Sequence, residues 1–284
     1  MQLTLDLNIP TAKPTLKPFL KWVGGKRQLI NQIIPHLPKT FNNYYEPFIG
    51  GGALLFHLLP KQAMISDINH ELITVYQCVK KDYIAVVNLL KCFRYDFDFF
   101  SEIRGWDKEK DYIKKYSPEE RAARFIYINK CGFNGLWRVN KNGECNVSFG
   151  RYINPDFICE QTLEECSEYL QNINIYQGDF ETTIQDAGIN DFIYLDPPYD
   201  PVSVTSNFVG YSQNGFTKDD QIRLKTAIEQ LTRKGAKIMV SNNFTPFISD
   251  LYKDYNQHTL LANRNVNSNS EKRGVVPEIL ITNY

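Results

Sequence analysis

The sequence predicts an α/β fold: a doubly wound parallel sheet of the nucleotide-binding kind, interrupted by an inserted stretch that is mainly helical and carries a β-hairpin. Three observations point there. Tyr44 to Phe48 reads as a short strand that runs into Gly50-Gly51-Gly52, a helical stretch, a second strand and Asp67; that order is half of a βαβ nucleotide-binding unit. The pattern lapses from about His70 to Ile158 and then resumes, which places the insert at 70–158 and the sheet-forming domain at 1–69 and 159–284. Finally, the apolar run Phe192 to Leu195 ends in Asp196-Pro197-Pro198-Tyr199. That tetrapeptide is poor strand but stands at the strand edge where open α/β sheets bind ligands.

Each element has its own signal. After a polar lead-in from Met1 to Pro18, Leu29, Ile30, Ile33, Ile34 and Leu37 recur at helical spacing and predict a helix over 27–37. Ala53 to Leu59 continues the glycine loop as a helix, and Ala63 to Ser66 forms the second strand. Three or four helical stretches fill the insert, one of them Pro118 to Lys130 with proline at the first helical position. Trp137 to Val147 then alternates around Asn142-Gly143, a strong hairpin signal. A helix over 163–170 and a strand over 173–176 reopen the α/β pattern. The Asp196 strand follows, then a helix over 218–233 and strands over 236–240, 258–261 and 278–282. Two polar stretches, Asp200 to Gly215 and Asn263 to Gly274, read as mobile, and the first is placed to close over a ligand.

Bulk properties exclude more than they assign. With 284 residues the chain can bury a large core. Its 32 basic and 32 acidic residues balance, so total charge says nothing of a polyanionic partner. No apolar run is long enough for a membrane span. The six cysteines form no C-x-x-C pair and the four histidines are scattered, which argues against a metal site and for reduced thiols in a cytoplasmic protein.

The first half of the sheet reads as a cofactor site. Glycines at 50–52 let backbone amides approach a ligand closely. Asp67, seventeen residues beyond Gly50, is placed to hold a ribose diol. The loop lacks the third glycine of a dinucleotide fingerprint, since Leu55 stands there. Gly24-Gly25-Lys26 is not a Walker loop, because Leu20 takes the first glycine position and Arg27 follows the lysine. A nucleoside with a short carboxylate-bearing tail fits better than a di- or triphosphate, and S-adenosylmethionine is such a molecule.

The tetrapeptide suits a planar amine. The Asp196 carboxylate and the Pro197 carbonyl each accept an N–H, the prolines bring no competing amide hydrogen, and Tyr199 offers a stacking face.

In sequence order, Lys21-Trp22-Val23-Gly24-Gly25-Lys26, Glu46-Pro47-Phe48 with its glycines, Ser66-Asp67-Ile68-Asn69 and Asp196-Pro197-Pro198-Tyr199 resemble a Dam-type DNA adenine-N6 methyltransferase of the alpha arrangement. The resemblance implies a Rossmann-like S-adenosylmethionine-dependent methyltransferase sheet as catalytic domain and a DNA-recognition insert. It assigns catalysis to Asp196, Pro197 and Tyr199. It assigns cofactor contacts to Trp22, Lys26, Phe48, Gly50, Gly51, Gly52, Asp67 and Asp196, with Asp179 and Phe180 flanking the cofactor adenine. Charge suggests Lys26 as partner of the methionine carboxylate.

The insert matches too, through Asn134-Gly135-Leu136, Arg138 to Asn140 and Phe149-Gly150-Arg151-Tyr152, although Ser148 stands where the family often has proline. From Arg121 to Arg151 the basic residues Arg121, Arg124, Lys130, Arg138, Lys141 and Arg151 face the single acid Glu144, interleaved with aromatics, a composition suited to double-stranded DNA. Arg138 is the candidate for bidentate reading of a guanine, and Lys21 reaches toward another. Phe133 and Leu136 fill the space left by a flipped base, Asn134 contacts bases or phosphates, Arg151 and Tyr152 belong to the same region, and Arg104 and Lys130 contact phosphates. By resemblance the site is GATC, with its adenine methylated. A cognate restriction endonuclease would be a functional rather than a physical partner. The competing readings are an RNA adenine-N6 methyltransferase of the same fold, which activity on structured RNA alone would reveal, and a catalytically silent DNA-binding module, which would carry a broken tetrapeptide or a lost Asp67.

Overall fold

The computed structural model describes residues 15–201, 215–263 and 275–284. Residues 202–214 and 264–274, which make up most of the two polar stretches read as mobile, lie outside the described residues, as do residues 1–14 of the lead-in.

Along the chain run α1 (Ile30–Ile33), β1 (Tyr44–Glu46), α2 (Ala53–Leu58) and β2 (Ala63–Asp67). Next come α3 (His70–Lys91), α4 (Phe97–Gly105), α5 (Tyr112–Lys115) and α6 (Pro118–Cys131). The α/β alternation resumes with α7 (Glu160–Leu170), β3 (Ile173–Gln177), α8 (Phe180–Ile184), β4 (Phe192–Leu195), α9 (Lys218–Arg233) and β5 (Lys237–Asn243). Then α10 (Pro246–Leu251) leads to β6 (Asn256–Asn263) and β7 (Val275–Thr282).

These strands form one sheet of order β3-β2-β1-β4-β5-β7-β6. β1 to β5 are parallel, while β7 is antiparallel to both β5 and β6. The strand order reverses between β1 and β4, which pair directly through Tyr44–Phe192 and Tyr45–Ile193. In an open α/β sheet that reversal opens a crevice beyond the strand ends. Glycine loop and tetrapeptide leave the sheet there, side by side.

The helices begin where local chemistry tells them to. Ser117 and Glu120 form a capping box at α6, with Pro118 at the first helical position, and Thr217 and Asp220 form another at α9. Two elements are looser than their sequence patterns predict. The helix over 27–37 breaks into α1 between two 3-10 turns, the second containing Pro35, since proline has no N–H to continue a helical ladder. The hairpin around Asn142-Gly143 has its turn, Gly143 at φ 82°, but only a single Val139–Cys145 bridge. Arg138 and Asn140 replace the missing ladder with bonds to Asn146 and Glu144.

Packing ties the helices of 70–158 to the sheet. One buried cluster runs from Phe19, Tyr44 and Tyr194 through Val86 and Phe100 to Phe125 and Trp137. The other face of the sheet closes over Ile193, Leu224, Ile228 and Ile281. α3 packs on β2, β3 and α7 as well as on α6, which bridges the two regions.

Candidate active site and nucleic-acid interface

Asp196 leaves β4 at the crevice with its side chain 19% exposed. The ammonium of Lys26, itself only 3% exposed, donates to both carboxylate oxygens at 2.8 Å and also to the Gly24 carbonyl. The same nitrogen lies 4.7 Å from the centre of the Tyr199 ring. Carboxylate, ammonium and aromatic face therefore form one cluster. Burial pushes the Asp196 carboxyl above its ordinary range, and the charge and bonds of Lys26 oppose that push. The Lys26 ammonium, expected at a methionine carboxylate, is paired in this arrangement with Asp196.

The tetrapeptide is held from behind. Gln221 of α9 donates to the Pro198 carbonyl at 3.0 Å and accepts from Asn242 at 3.2 Å. The Asp200 amide donates to Asn242 at 3.0 Å, Asn243 donates to the Asp200 carbonyl at 2.7 Å, and Thr245 donates to its carboxylate at 2.7 Å. Gln221, Asn242, Asn243, Asp200 and Thr245 are all buried, so this network fixes the backbone that presents Asp196 and the Pro197 carbonyl. Sequence reasoning passed over it. Its one local signal is Ser241-Asn242-Asn243, polar residues that follow the apolar run Ile238 to Val240 in β5.

On the β1–β2 side, Gly50 and Gly52 have φ 46° and 68°, conformations that glycine adopts without cost. A Cβ on Gly50 would stand 2.6 Å from Trp22 Cδ1, so the loop backbone lies flat under the indole. Trp22 is half-buried and stacks on Phe125, centroids 6.3 Å apart. Asp67 ends β2 and accepts amide hydrogens from Gly50 at 3.2 Å and Asn69 at 3.0 Å. Burial pushes its carboxyl up to about 6 in spite of those bonds. Below the crevice, Glu46 accepts from Tyr44 at 2.7 Å and is pushed up to about 8, chiefly by burial.

Asp179 caps α8 and makes two 3.0 Å bonds with Arg223 of α9. Phe180 is buried between Phe48 and Phe216, with centroids 5.6 and 6.2 Å away, and the Arg223 guanidinium covers it at 4.4 Å. Arg223 thus joins the two residues expected at a cofactor adenine, a contact no sequence signal announces. The glycine cradle, the ribose-placed carboxylate and this aromatic wall fit an adenosine-bearing cofactor.

The residues expected to face nucleic acid divide. Phe133, Asn134, Arg138, Arg151 and Lys21 are exposed, whereas Lys130, Leu136 and Tyr152 are half-buried. Asn134 adopts φ 57° and its amide donates to the Tyr152 hydroxyl at 2.8 Å, while the Lys21 ammonium sits 5.4 Å over the Tyr152 ring. Arg138 is held by the side chain and carbonyl of Asn146 at 2.7 and 3.1 Å. Arg104 is half-buried and donates to the Val147 carbonyl at 2.8 Å. Two of the basic residues of 121–151 are not on the surface. Arg121 is buried against Glu71, and Arg124 bonds Asp107 and the carbonyls of Ile103 and Arg104, the last turn of α4. The basic excess of the insert is smaller outside than the sequence suggests, since these two arginines lie on the packed face of α6.

Asn129 of α6 is fully buried and links the two regions. It accepts the Lys21 amide at 2.9 Å and donates to the carbonyls of Lys21 and Gly135 at 2.7 and 3.1 Å.

Comparison with known proteins agrees with this arrangement. The family model of the D12 class N6 adenine-specific DNA methyltransferases matches residues 22–266. The type II methyltransferase M1.LlaDCHI of Lactococcus lactis is 43% identical over 276 residues, 96% of this chain and 97% of the relative. The type II methyltransferase M.MjaIII of Methanocaldococcus jannaschii is 40% identical over 95% of this chain and 99% of its own. The DNA adenine methylase of Escherichia coli K12 is 33% identical, over 92% and 93% of the two chains.

Proposed function

The chain belongs to the D12 class of N6 adenine-specific DNA methyltransferases, and from that premise we propose that it methylates a flipped adenine in duplex DNA, within GATC, using S-adenosylmethionine. The observation that carries this reading is the Asp196–Lys26–Tyr199 cluster at the β1–β4 reversal. There a carboxylate and a ring face already hold a cationic nitrogen at 2.8 and 4.7 Å. An adenine amine acquires that character as it is methylated.

The adenine N6 lone pair is delocalised into the ring, so alignment and electrostatics have most to supply. Asp196 and the Pro197 carbonyl accept the two N–H bonds, turn the lone pair outward and stabilise the positive charge that develops. Tyr199 stacks on the base. Asp67, Trp22, Phe48 and the 50–52 loop hold the cofactor, with Asp179 and Phe180 beside its adenine; the cofactor supplies an electrophilic sulfonium methyl. The amine proton leaves to water after transfer. A base inside a duplex does not reach this crevice, so eversion is required, at about a few kcal/mol.

The stretch 70–158 is the target-recognition part, with Arg138 reading a guanine, Lys21 another, Phe133 and Leu136 filling the vacated stack, and Asn134, Lys130, Arg104, Arg151 and Tyr152 along the backbone. Among the described residues no helix is long and apolar enough to cross a membrane, and we place the enzyme in the cytoplasm. Two relatives are named type II methyltransferases, which supports a restriction endonuclease of the same specificity as functional partner.

The test is methyl incorporation from S-adenosylmethionine into duplexes that contain or lack GATC, followed by identification of the modified base. Wild-type protein should yield N6-methyladenine in GATC duplexes alone. Asp196→Ala should fold with no turnover; substantial residual methylation by that variant would overturn the mechanism.

A further inference from the structure

Because β7 runs antiparallel to β5, its first residues lie at the edge where the parallel strands end. Thr282 pairs with Met239, and Glu278 pairs with Asn243, the last residue of β5. Alternate residues of a strand face opposite sides, so Glu278 shares the face of buried Leu280 and is turned from that of Ile279 and Ile281. Glu278 is half-buried there, a carboxylate in the otherwise uncharged strand sequence VVPEILIT. Its partner is the Tyr199 hydroxyl, which donates to Glu278 at 2.7 Å across seventy-nine positions. The same hydroxyl also reaches the Asp196 carboxylate, so Glu278, the phenol and the Asp196–Lys26 pair form one continuous chain.

We propose that Glu278 is a positioning residue for the target base, acting through Tyr199. The tyrosine ring is tethered at both ends: its backbone by Gln221 on the Pro198 carbonyl, its hydroxyl by Glu278. A ring held at two points keeps its tilt before the base arrives, so stacking orders fewer groups on binding. The proposal rests on the reading that Tyr199 stacks on the everted adenine.

Single-turnover methylation of a GATC duplex tests it, with Glu278→Ala, Glu278→Gln, Tyr199→Phe and the Glu278→Ala/Tyr199→Phe double variant. Charge-assisted hydrogen bonds of this kind lead us to expect a rate loss of about 10- to 100-fold for Glu278→Ala, with unchanged affinity for S-adenosylhomocysteine. Glu278→Gln, which keeps an acceptor, should recover most of the loss. Tyr199→Phe, which also loses the phenol's bond to Asp196, should be at least as slow as Glu278→Ala, and the double variant should be no slower than Tyr199→Phe. Losses that multiply in the double variant, or a fall in Tm with the rate intact, would overturn the proposal. A duplex with 2-aminopurine at the target position separates the two readings. No fluorescence rise with wild-type protein removes base stacking itself. A wild-type rise that Glu278→Ala leaves unaltered in size and lifetime removes Glu278 alone.

Discussion

Lys26 and Asp196, 170 residues apart in sequence, form a bidentate ion pair with both N···O distances at 2.8 Å, in a crevice where the lysine is almost fully buried. The pair sets the charge state of the carboxylate. Burial alone favours the neutral acid, and the ammonium draws the equilibrium back toward the anion.

Removing the ammonium should therefore show in the pH profile. Lys26→Ala takes away the interaction that lowers the Asp196 pKa, so the carboxylate forms only at higher pH. The acid limb of kcat/KM is expected to move to higher pH, with the largest loss of activity at the acid end of the profile. An acid limb at the wild-type position would contradict this electrostatic role.

Glu46 governs a pH dependence of stability. Its folded-state value of about 8 lies above that of an exposed glutamate, so the folded protein holds the proton more tightly than the unfolded chain. That contribution is complete below the unfolded value and is lost as pH rises toward about 8. Thermal unfolding of the apo protein between pH 5 and 8.5 should show Tm falling with pH. Glu46→Gln should flatten the fall, with a gain of at least ~2 °C at pH 8.

Gly50 is the steric test of the cradle. Its φ is 46°, and a methyl group added there would meet Trp22 Cδ1 at only 2.6 Å, so Gly50→Ala strains the backbone and displaces the indole. We expect cofactor affinity, read by calorimetry with S-adenosylhomocysteine, to fall more than about tenfold. Gly105→Ala, where a Cβ meets nothing within 4 Å, should leave affinity unchanged.

Arg138 is pre-aimed by Asn146. Arg138→Ala should relax preference at one guanine by about 1–3 kcal/mol, measured as relative kcat/KM on single-mismatch duplexes. Asn146→Ala should relax it at the same position and by less. An unchanged sequence profile would sink the assignment.

Arg124 and Arg151 separate structure from contact. Arg124→Ala leaves Asp107 buried without its cation and uncaps α4, so stability should drop by about 3–5 kcal/mol in chemical denaturation. Exposed Arg151 should do the opposite: Arg151→Ala keeps Tm but lowers the slope of log affinity against log salt by about one.

What was legible in the sequence was local. β1, the glycine loop, β2 with Asp67, β4 with its tetrapeptide and α9 with its cap box are each written in a few adjacent residues, and periodicity or a turn residue reveals them. What was not legible depends on partners far along the chain. The partner of Lys26 arises only once β4 meets the N-terminal segment, and the grip of Arg223 on Asp179 and the support of Pro198 by Gln221 only once α9 meets α8 and the end of β4. Arg121 and Arg124 carry the same lesson: charge counted along a helix does not say which face is packed, and their anionic partners Glu71 and Asp107 lie outside α6. The antiparallel placement of β7 is invisible to pattern too, because its apolar run suits either direction.

The buried amide of Asn129 has one more implication. By holding both the amide and the carbonyl of Lys21, it welds the loop that leads to Trp22 onto the helix that leads to Arg138. The two segments are thereby constrained to move as one.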